Sequence, residues 1–410
     1  MSTDSHFCDF QLAWIRPSPY ISNQALNTTV VLKGSMTAAI LLSRQPLRPT
    51  ARTGWVRQVR SAAGWLKDNG IGLCSSTGMQ TWDMVTALAS MEKIPVKIVL
   101  PPDESETADE AARICVREYD LDGRAVEFVT CDKSSAPLDR RTSLMERDRK
   151  VVETADILLP ISVSEHGGMS KLIYEMESSG EKKVDRRFQI SYEKRSERLA
   201  YDLDPETLQP KLERTAGRYL IHWTRACNGA WPDERLIDFH RAVLSSERYP
   251  RSALDTLCHI LDEQRVLASS RHMPGGVRTV SFSSLSPREL IPLIRWRARY
   301  RQMSFEPYGI GISKEYALSI GILPVSYYSR AEGEGSDGGH DLSYRDQWLS
   351  QSVGQITDWR QEREYRYLGD LGLAAIPTEH LQAFCLTADE ARLIKQRTGI
   401  RAISFLPSEP

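Results

Sequence analysis

Two glutamates stand close together near the end of the chain, in the stretch EREYRYL that begins at Glu362. The residues from Arg363 to Leu368 are predicted to form a strand. Because side chains alternate across a strand, Glu362, Glu364 and Arg366 are expected to share one face. Paired carboxylates can divide general acid and base work or stabilise a developing positive charge. The spacing alone leaves open an exposed strand face with an ordinary ion pair to Arg366.

Two further pairs of polar residues have strand spacing in the second half of the chain. His222 and Thr224 lie in YLIHWT, and Ser281 and Ser283 lie in VSFS. Each pair is predicted to project from one side of a short strand. The pattern does not separate a binding role from a hydrogen-bonded core histidine, or from serines that cap or turn the chain.

A basic segment follows these strands. Its arginines are interleaved with two aromatic residues: Arg295, Trp296, Arg297, Arg299, Tyr300 and Arg301. This pattern is typical of a surface that binds nucleic acid or a diphosphate. A solvated amphipathic helix is the alternative, because on a helix these arginines fall on two faces.

Three loops in the first half follow predicted buried strands. They are Gly34-Ser35, the run Ser75-Ser76-Thr77-Gly78, and Glu165-His166-Gly167-Gly168. Helices are predicted after such loops, and the N–H groups of a helix N-terminus can hold a phosphate. Neither G-x-G-x-x-G nor the P-loop motif occurs, so neither of those nucleotide sites is predicted.

Alternating strands and helices are predicted to carry these loops. Near-continuous apolar runs occur at Val30–Leu32, Ile71–Cys74, Val96–Leu100, Ala125–Val129 and Ile157–Ile161. Such runs are typical of strands buried on both faces, and helical patterns lie between them. After an extension at 1–26, we therefore predict a Rossmann-like α/β domain at 27–180, with a parallel sheet covered on both faces.

The composition changes after this domain. Charged residues dominate 181–217, which is predicted to be a linker with the domain boundary near Leu203. Many short strands and few helices follow, so 218–410 is predicted to form an α+β domain built on two small sheets.

Composition limits the class of protein. The chain has 410 residues, enough for two domains, and 53 Lys and Arg against 54 Asp and Glu leave a net charge of -1. Overall charge therefore predicts no nucleic-acid or membrane partner. No apolar run approaches the roughly 18 residues of a membrane helix, and no signal peptide is evident, so a cytoplasmic protein is expected. Scattered cysteines and histidines predict neither disulfides nor a metal site.

Three segments of the first half resemble the SLOG superfamily, the Rossmann-like group that contains DprA and the LOG nucleotide phosphoribohydrolases. They are VVLKGS from Val30, IGLCSSTGMQTWDMVTALA from Ile71, and MERDRKVVETADILLPISVSEHGGMSKLIYE from Met145. The resemblance implies a nucleotide-type ligand and assembly into a homo-oligomer. The ligand-binding residues that it implies are Gly34, Ser35, Ser76, Thr77, Gly78, Arg147, Gly167, Gly168 and Glu175.

In the LOG enzymes, a basic helix and a P-G-G-x-G-T-x-x-E loop supply a catalytic arginine and glutamate. Arg147 or Arg149 and Glu175 occupy similar places here. The loop reads HGGMSKLIYE and lacks the proline, the third glycine and the threonine. The resemblance therefore implies ligand binding rather than hydrolysis, with a nucleotide N-glycosidase as an alternative.

The motifs of the second half, taken in order, resemble the ADP-ribosyltransferase fold, in particular DarT-like enzymes and the AbiGi abortive-infection family. They are HWT from His222, the helix LCHILDEQRVLAS, VSFS, and DWRQEREYRYLGDL from Asp358. The resemblance covers about Arg218 to Phe405 and implies NAD as the cofactor. The NAD-binding residues that it implies are His222, Thr224, Arg225, Ser281, Ser283 and Tyr308, with Tyr308 or Phe282 stacked on nicotinamide.

The two glutamates receive separate roles from this resemblance. Glu364 would stabilise the oxocarbenium-like state, and Glu362 would orient or deprotonate the accepting nucleophile. We therefore expect an antiphage-type effector, in which a SLOG-like nucleotide-sensing domain regulates an NAD-dependent ADP-ribosyltransferase or an NAD-cleaving domain. The acceptor, a nucleic acid or a protein, stays open. A non-enzymatic nucleotide-binding or DNA-binding sensor or scaffold is the alternative.

Overall fold

The structure, a computed structural model, describes residues 35–101, 107–131, 140–193, 198–270, 273, 276–328, 344–348, 351–352, 355–356 and 359–408. The described residues divide into two compact units. The first is drawn from Met1–Ser196 and Asn228–Pro250, and the second from Glu197–Cys227 and Arg251–Pro410. Each unit is built around its own sheet.

The first unit contains a six-stranded parallel sheet. Its strands are β1 Thr37–Leu42, β2 Gly72–Ser76, β3 Val96–Leu100, β4 Val126–Thr130, β5 Ile157–Ser162 and β6 Lys183–Val184. Their order is β4-β3-β2-β1-β5-β6, and every neighbouring pair is parallel. Strands β2 to β4 are added on one side of β1, and β5 and β6 are added on its other side. The loops after β1 and β5 therefore border the crevice where ligands bind in such sheets.

Helices cover both faces of this sheet, which confirms the predicted Rossmann-like class. They are α1 Gly54–Asp68, α2 Gln80–Glu92, α3 Ala108–Tyr119, α4 Arg140–Thr154, α5 Gly168–Ser178 and α6 Leu236–Ser245. Ala38 and Ile40 of β1 lie in the core with apolar residues of α1, α2, α3 and α6. Ala39 and Leu41 lie in the opposite core, with residues of α4 and α5. Burial of both faces explains why the strands read as continuous apolar runs.

The first strand differs from the prediction. The run Val30–Leu32 lies outside the described residues, and the described sheet begins instead with TAAILL at Thr37–Leu42, in which every residue is buried. Alanine has little intrinsic preference for strands, so packing between β2 and β5 decides the conformation here. Ser35 consequently precedes β1 and lies at the amino end of the sheet, opposite the edge that carries the loop after β2.

The second unit is α+β, as predicted. Its strands are β7 Tyr219–Trp223, β8 Arg265–Val266, β9 Thr279–Ser283, β10 Trp296–Arg297, β11 Gln302–Met303, β12 Gly309–Ser313, β13 Leu323–Pro324, β14 Ser326–Tyr328, β15 Asp346–Trp348, β16 Gln351–Ser352, β17 Gln355–Ile356, β18 Glu364–Leu368, β19 Leu371–Gly372, β20 Leu381–Cys385 and β21 Arg401–Ser404. The main sheet has the order β13-β18-β9-β7-β12-β20-β21. Its two parts meet at β9 and β7 through one residue pair, Ser283 with Ile221.

Short helices complete this unit. They are α7 Ala253–Asp262, α8 Pro287–Leu290, α9 Lys314–Ser319 and α10 Ala388–Thr398. Leu257 of α7 and Ile394 of α10 pack in one core with Ile310 of β12. Ile221 and Phe384 belong to a second core. Among the described residues of the chain, no helix is long and apolar enough to cross a membrane.

The segment Asn228–Pro250 departs from the predicted domain plan, because it belongs to the first unit. Ile237, Phe239 and Val243 of α6 lie in the core that α1, α2 and α3 share. The first unit is therefore discontinuous in sequence. A single boundary near Leu203 could not represent this arrangement, since the apolar face of α6 does not reveal which core it joins.

His240 on α6 should make the first unit sensitive to acid. Its side chain is 1% exposed, and its Nδ1 atom has no hydrogen-bond partner among the described residues. Burial lowers its pKa from 6.5 to about 3. Between these values the unfolded chain binds a proton that the folded chain does not. The free energy of unfolding should therefore fall by about 1.4 kcal/mol per pH unit below roughly pH 6.

Urea unfolding of the wild type and His240→Leu between about pH 4.5 and 7.5 checks this expectation. The variant should show a flatter pH dependence than the wild type. His166→Leu, which removes an exposed histidine of the same unit, should keep the dependence of the wild type. An equal pH dependence in the wild type and His240→Leu would contradict the assignment.

Candidate functional site

Three polar residues on neighbouring strands of the second unit are connected through Ser281. The Nδ1 atom of His222 on β7 lies 2.8 Å from the main-chain oxygen of Ser281 on β9. The Ser281 hydroxyl donates to Oε1 of Glu364 on β18 at 2.7 Å. The ring of His222 reaches Ser281 beyond the single pair that joins β7 to β9. The sequence-predicted residues His222, Ser281 and Glu364 therefore meet at the junction of the two parts of the sheet.

The hydrogen bond to Ser281 determines which ring nitrogen of His222 carries the proton. A carbonyl oxygen only accepts, so Nδ1 carries the proton and the other ring nitrogen is left as an acceptor in the neutral ring. Burial lowers the pKa of His222, the hydrogen bond to Ser281 opposes this effect, and the charge of Arg225 adds to it. A neutral His222 can therefore accept a hydrogen bond from a ligand hydroxyl.

The Glu364 carboxylate is held by three side chains. Oε1 accepts from Ser281 Oγ at 2.7 Å and from Arg366 Nε at 2.8 Å. Oε2 accepts from Arg366 Nη2 at 3.0 Å and from the Tyr327 hydroxyl at 3.3 Å. The predicted ion pair of Arg366 with a carboxylate on its own strand face is confirmed. The contact is bidentate and comes from a buried guanidinium. Such a pair is stronger and more directional than an exposed one.

Glu362 does not continue the strand, which corrects the prediction that three side chains share one face. It ends the 3-10 turn Trp359–Glu362, and β18 begins only at Glu364. Between them, Arg363 has a left-handed backbone with φ of 46°. That conformation breaks the side-chain alternation of a continuous strand. The Ser283 hydroxyl ties Glu362 to the sheet by donating to its main-chain oxygen at 2.6 Å.

The surroundings of Glu362 favour its protonated form. Burial, together with the nearby charge of Glu364, raises the pKa of Glu362 to about 7. Arg297, whose Nη2 atom lies 3.8 Å from Oε1 of Glu362, opposes this rise. A carboxyl group that titrates near neutral pH can accept a proton from a bound group and release it again.

Three residues that the resemblance assigns to NAD binding make contacts inside the second unit. Thr224 is 2% exposed, and its hydroxyl lies within hydrogen-bond distance of the main-chain oxygens of Ala253 and Tyr308. The Tyr308 hydroxyl donates to Oε1 of Glu390 at 3.0 Å. Phe282 is buried, and its ring centroid lies 5.9 Å from that of His222. Thr224, Tyr308 and Phe282 therefore support the sheet around His222, and their contact with NAD stays a prediction.

The basic segment after β9 is a hairpin and not the alternative amphipathic helix. β10 pairs with β11 in antiparallel fashion around the 3-10 turn Ala298–Tyr300. Arg295 and Arg297 both lower the pKa of Glu362, as does Arg225, so these three cations lie near that carboxyl group. The side chain of Arg299 lies outside the described residues. The hairpin thus brings positive charge to the edge of the site.

In the first unit, the loop after β2 lies at the predicted carboxyl edge of the sheet. Ser76 ends β2, and Thr77 and Gly78 lead into α2. The Ser76 hydroxyl donates to the main-chain oxygen of Val99 at 2.6 Å, and the N–H of Gly78 donates to Oδ1 of Asp83 at 2.9 Å. Gly78 has a φ of 81°, where glycine is favoured. These polar groups therefore stabilise the loop itself.

Arg147 is a buried support for this loop, in contrast to its predicted role as a ligand contact. It is 1% exposed, and its Nη1 atom donates to the main-chain oxygen of Thr77 at 3.0 Å. Its Nε and Nη2 atoms donate to Oδ1 of Asp148 at 3.1 and 2.7 Å. Asp83 accepts from the Tyr119 hydroxyl at 2.7 Å, and burial raises the pKa of Asp83 to about 6. Together these contacts fix α2 and α4 around the loop.

Gly167 and Gly168 lie at the start of α5, at the same carboxyl edge. Gly167 caps the helix, and Gly168 is exposed at its first position. A Cβ atom on Gly167 would lie 3.6 Å from Oγ of Ser43, so the loops after β1 and β5 approach each other closely. Glu175 forms an exposed pair with Arg149 at 3.1 Å. Gly34, by contrast, lies outside the described residues.

No sequence motif indicates a group of buried polar atoms in the loop between β1 and α1 and in the first turns of α1 and α2. Arg48 Nη2, Trp55 Nε1, Gln80 Oε1 and Thr81 Oγ1 are buried and have no hydrogen-bond partner among the described residues. Gln80 Nε2 donates to the main-chain oxygen of Leu47 at 2.7 Å, which places the first turn of α2 against this loop. The signal available in the sequence was an arginine flanked by Pro46 and Pro49 in the segment between β1 and α1.

Metal ligation has no support in the part of the chain that the structure describes, where no cluster of three or more His, Cys, Asp or Glu side chains could hold an ion.

Comparison with known proteins gives partial structural similarity. No protein family profile and no curated protein matches the chain. It is similar to DNA processing protein A from Helicobacter pylori, a structure that addresses single-stranded DNA binding, with 15% identity, a TM-score of 0.28, and coverage of 40% of this chain and 70% of that chain. It is also similar to DprA from Streptococcus pneumoniae, with 12% identity, a TM-score of 0.25, and coverage of 37% of this chain and 58% of that chain.

The pKa of Glu362 predicts a pH-dependent penalty on stability. Its folded-state pKa of about 7 lies above its ordinary 4.5, so the folded chain holds a proton that the unfolded chain releases between these values. Stability is therefore lost as the pH rises through this window. At pH 8, Glu362→Gln should be more stable than the wild type by on the order of 1–3 kcal/mol, and the difference should shrink at pH 5.

Urea unfolding at both pH values measures this difference. Glu315→Gln, which changes an exposed glutamate of the same unit, serves as the control and should shift neither value. A difference between Glu362→Gln and the wild type that does not vary with pH would contradict the raised pKa.

Proposed function

We propose that the second unit uses NAD as a substrate and breaks the bond between nicotinamide and ribose, either to transfer ADP-ribose to an acceptor or to cleave NAD. The contact chain from His222 through Ser281 to Glu364 is the observation that carries this proposal. Histidine, serine and glutamate are the residue types that the resemblance to ADP-ribosyltransferases implies at the substrate. The side chains of Glu364 and Glu362 are 15% and 23% exposed, which is unlike the exposed strand face considered as an alternative.

Glu364 supplies the negative charge that the reaction needs. When the glycosidic bond breaks, nicotinamide leaves with the bonding electron pair, and positive charge develops on the ribose ring. A preorganised carboxylate beside the ring stabilises this charge more in the transition state than in the ground state. The contacts from Arg366 and Ser281 fix the orientation of Glu364 before substrate binds, so little reorganisation is needed.

Glu362 is suited to the proton transfer. A hydroxyl or amino group of the acceptor, or water, attacks the ribose carbon and must lose a proton. The ionised form of Glu362 can take this proton, and a pKa of about 7 leaves a useful share of that form at neutral pH. His222, neutral and with its acceptor nitrogen available, is assigned to a ribose hydroxyl.

Replacing Glu364 by glutamine should abolish NAD turnover. It also removes the charge that pairs with the buried Arg366, so the variant should unfold at a lower temperature than the wild type. The amide is similar in size to the carboxylate but lacks the charge, so we expect nicotinamide release to fall by at least about 100-fold. The measurement is nicotinamide release by the purified full chain, with thermal unfolding as the check on folding. Glu315→Gln is the matched control and should keep the wild-type rate.

Wild-type protein that neither binds NAD nor transfers ADP-ribose in the presence of nucleic acid and cell lysate would overturn this proposal. Equal turnover by Glu364→Gln and wild type would overturn the role of Glu364 and leave NAD cleavage to be explained by other residues.

A second function is proposed for the first unit, which we infer binds a nucleotide-type ligand at the carboxyl edge of its sheet. Two buried donors, Arg48 Nη2 and Trp55 Nε1, support this inference because unpaired buried donors are rare and costly. An anion at this edge would also be favoured by the N-terminus of α5 at Gly167. Binding there would regulate the second unit, in keeping with an antiphage-type effector.

Catalysis by the first unit is the alternative, and a direct experiment distinguishes it from catalysis by the second unit. The pair of Arg149 and Glu175 is exposed, as a nucleotide N-glycosidase would require. Loss of nucleotide turnover in Glu175→Gln, with Glu364→Gln unaffected, would select this alternative.

Removing the Arg48 charge should weaken ligand binding to the first unit. With AMP as the probe, the Kd of Arg48→Gln should rise about tenfold, because a charge-assisted hydrogen bond to phosphate is lost. Calorimetric titration of the full chain measures this change. Arg52→Gln, which removes an exposed arginine paired with Glu247, should bind as the wild type does. No binding of AMP, or an unchanged Kd in Arg48→Gln, would contradict the inference.

A further inference from the structure

The Glu364 carboxylate already has as many hydrogen bonds as it can readily accept. A carboxylate offers about four lone-pair positions. Ser281, both Nε and Nη2 of Arg366, and Tyr327 together donate four hydrogen bonds to it. A substrate hydroxyl that binds Glu364 must therefore replace one of these donors.

Arg366 and Ser281 are poor candidates for replacement. Arg366 is 3% exposed and also donates to the main-chain oxygen of Tyr344 and to Oε1 of Gln347. Moving it would leave a buried charge without its partner, which is strongly destabilising. Ser281 faces Arg366 directly in the register of β9 and β18, and its hydrogen bond to Glu364 is short at 2.7 Å.

Tyr327 is held differently. Its hydroxyl lies 3.3 Å from Oε2 of Glu364, the longest of the four contacts. It belongs to β14, which pairs with β15 in a two-stranded sheet apart from the seven-stranded one. The N–H of Val325, two residues earlier, donates to the main-chain oxygen of Glu364 at 3.0 Å, so the backbone here is held. The side chain of Tyr327 is only partly buried, and rotation of this side chain is enough to free the position on Glu364. Exchange of one hydroxyl for another also conserves the number of hydrogen bonds on the carboxylate.

We propose that the Tyr327 hydroxyl holds the acceptor position on Glu364 that a ribose hydroxyl of NAD takes over, so that Tyr327 competes with the substrate. This inference rests on the proposed function, because it needs a hydroxyl-bearing substrate at Glu364. Burial and the charge of Glu364 raise the pKa of Tyr327 above its ordinary range, so its phenol stays a donor at all physiological pH values. Tyr327 thereby keeps Glu364 satisfied and limits the affinity for NAD.

Removing this hydroxyl should strengthen NAD binding. Tyr327→Phe keeps the ring and deletes the competing donor, so its Kd for NAD should be about 2- to 10-fold lower than that of the wild type. The KM should fall with the Kd, whereas kcat for nicotinamide release should change little. Tyr328→Phe is the matched control, since it alters the neighbouring, exposed tyrosine of the same strand, and it should leave the Kd unchanged.

Calorimetric titration of NAD into the full chain, with both variants and the wild type, separates the outcomes. The inference is supported if Tyr327→Phe binds NAD more tightly than the wild type and Tyr328→Phe does not. It is also supported if Tyr327→Phe binds measurably and the wild type binds too weakly to measure. Wild-type binding with equal or weaker binding by Tyr327→Phe overturns the inference and leaves the proposed function standing. No binding by the wild type or by Tyr327→Phe overturns both. If Tyr327→Phe fails to fold, Tyr327→Met deletes the same hydroxyl and takes its place.

Discussion

The second unit depends on one buried ion pair. The Arg366 side chain is 4% exposed, and an unpaired guanidinium at that depth would be strongly destabilising. Glu364 supplies the compensating charge from the same strand face, Ser281 stands opposite Arg366 on β9, and Gln347 of β15 accepts a further hydrogen bond. The strands around the candidate site thus supply the acceptors that one buried cation needs.

The ion pair also gives the two glutamates different chemical environments. Glu364 is paired with a cation, whereas Glu362 lies outside the strand, loses hydration and feels the charge of Glu364, which raises its pKa to about 7. Neighbouring carboxyl groups in different environments can take different roles at one pH. The first unit uses a buried arginine for another purpose, since Arg147 is 1% exposed and holds the loop at Thr77.

Local patterns predicted what depends on local geometry. Alternation along β18 placed Glu364 and Arg366 on one face, and the order of apolar runs indicated a parallel sheet in the first unit. The same alternation failed for Glu362, because the left-handed backbone of Arg363 depends on its tertiary setting. The burial of Arg147 could not be predicted either, and neither could the Nη2 atom of Arg48, which is buried without a hydrogen-bond partner among the described residues. Both depend on which helices meet at the edge of the sheet.

The ionisation of Glu362 tests the central claim most directly, because it reports on both carboxylates without any assumption about substrate. Carbon-13 NMR of the side-chain carboxyl groups, followed from about pH 4 to pH 9 in the wild type and in Glu364→Gln, gives this value. We predict a pKa of about 7 for Glu362 in the wild type and a lower one in Glu364→Gln, where the neighbouring negative charge is gone. A wild-type pKa near the ordinary 4.5, unchanged in Glu364→Gln, would contradict the account.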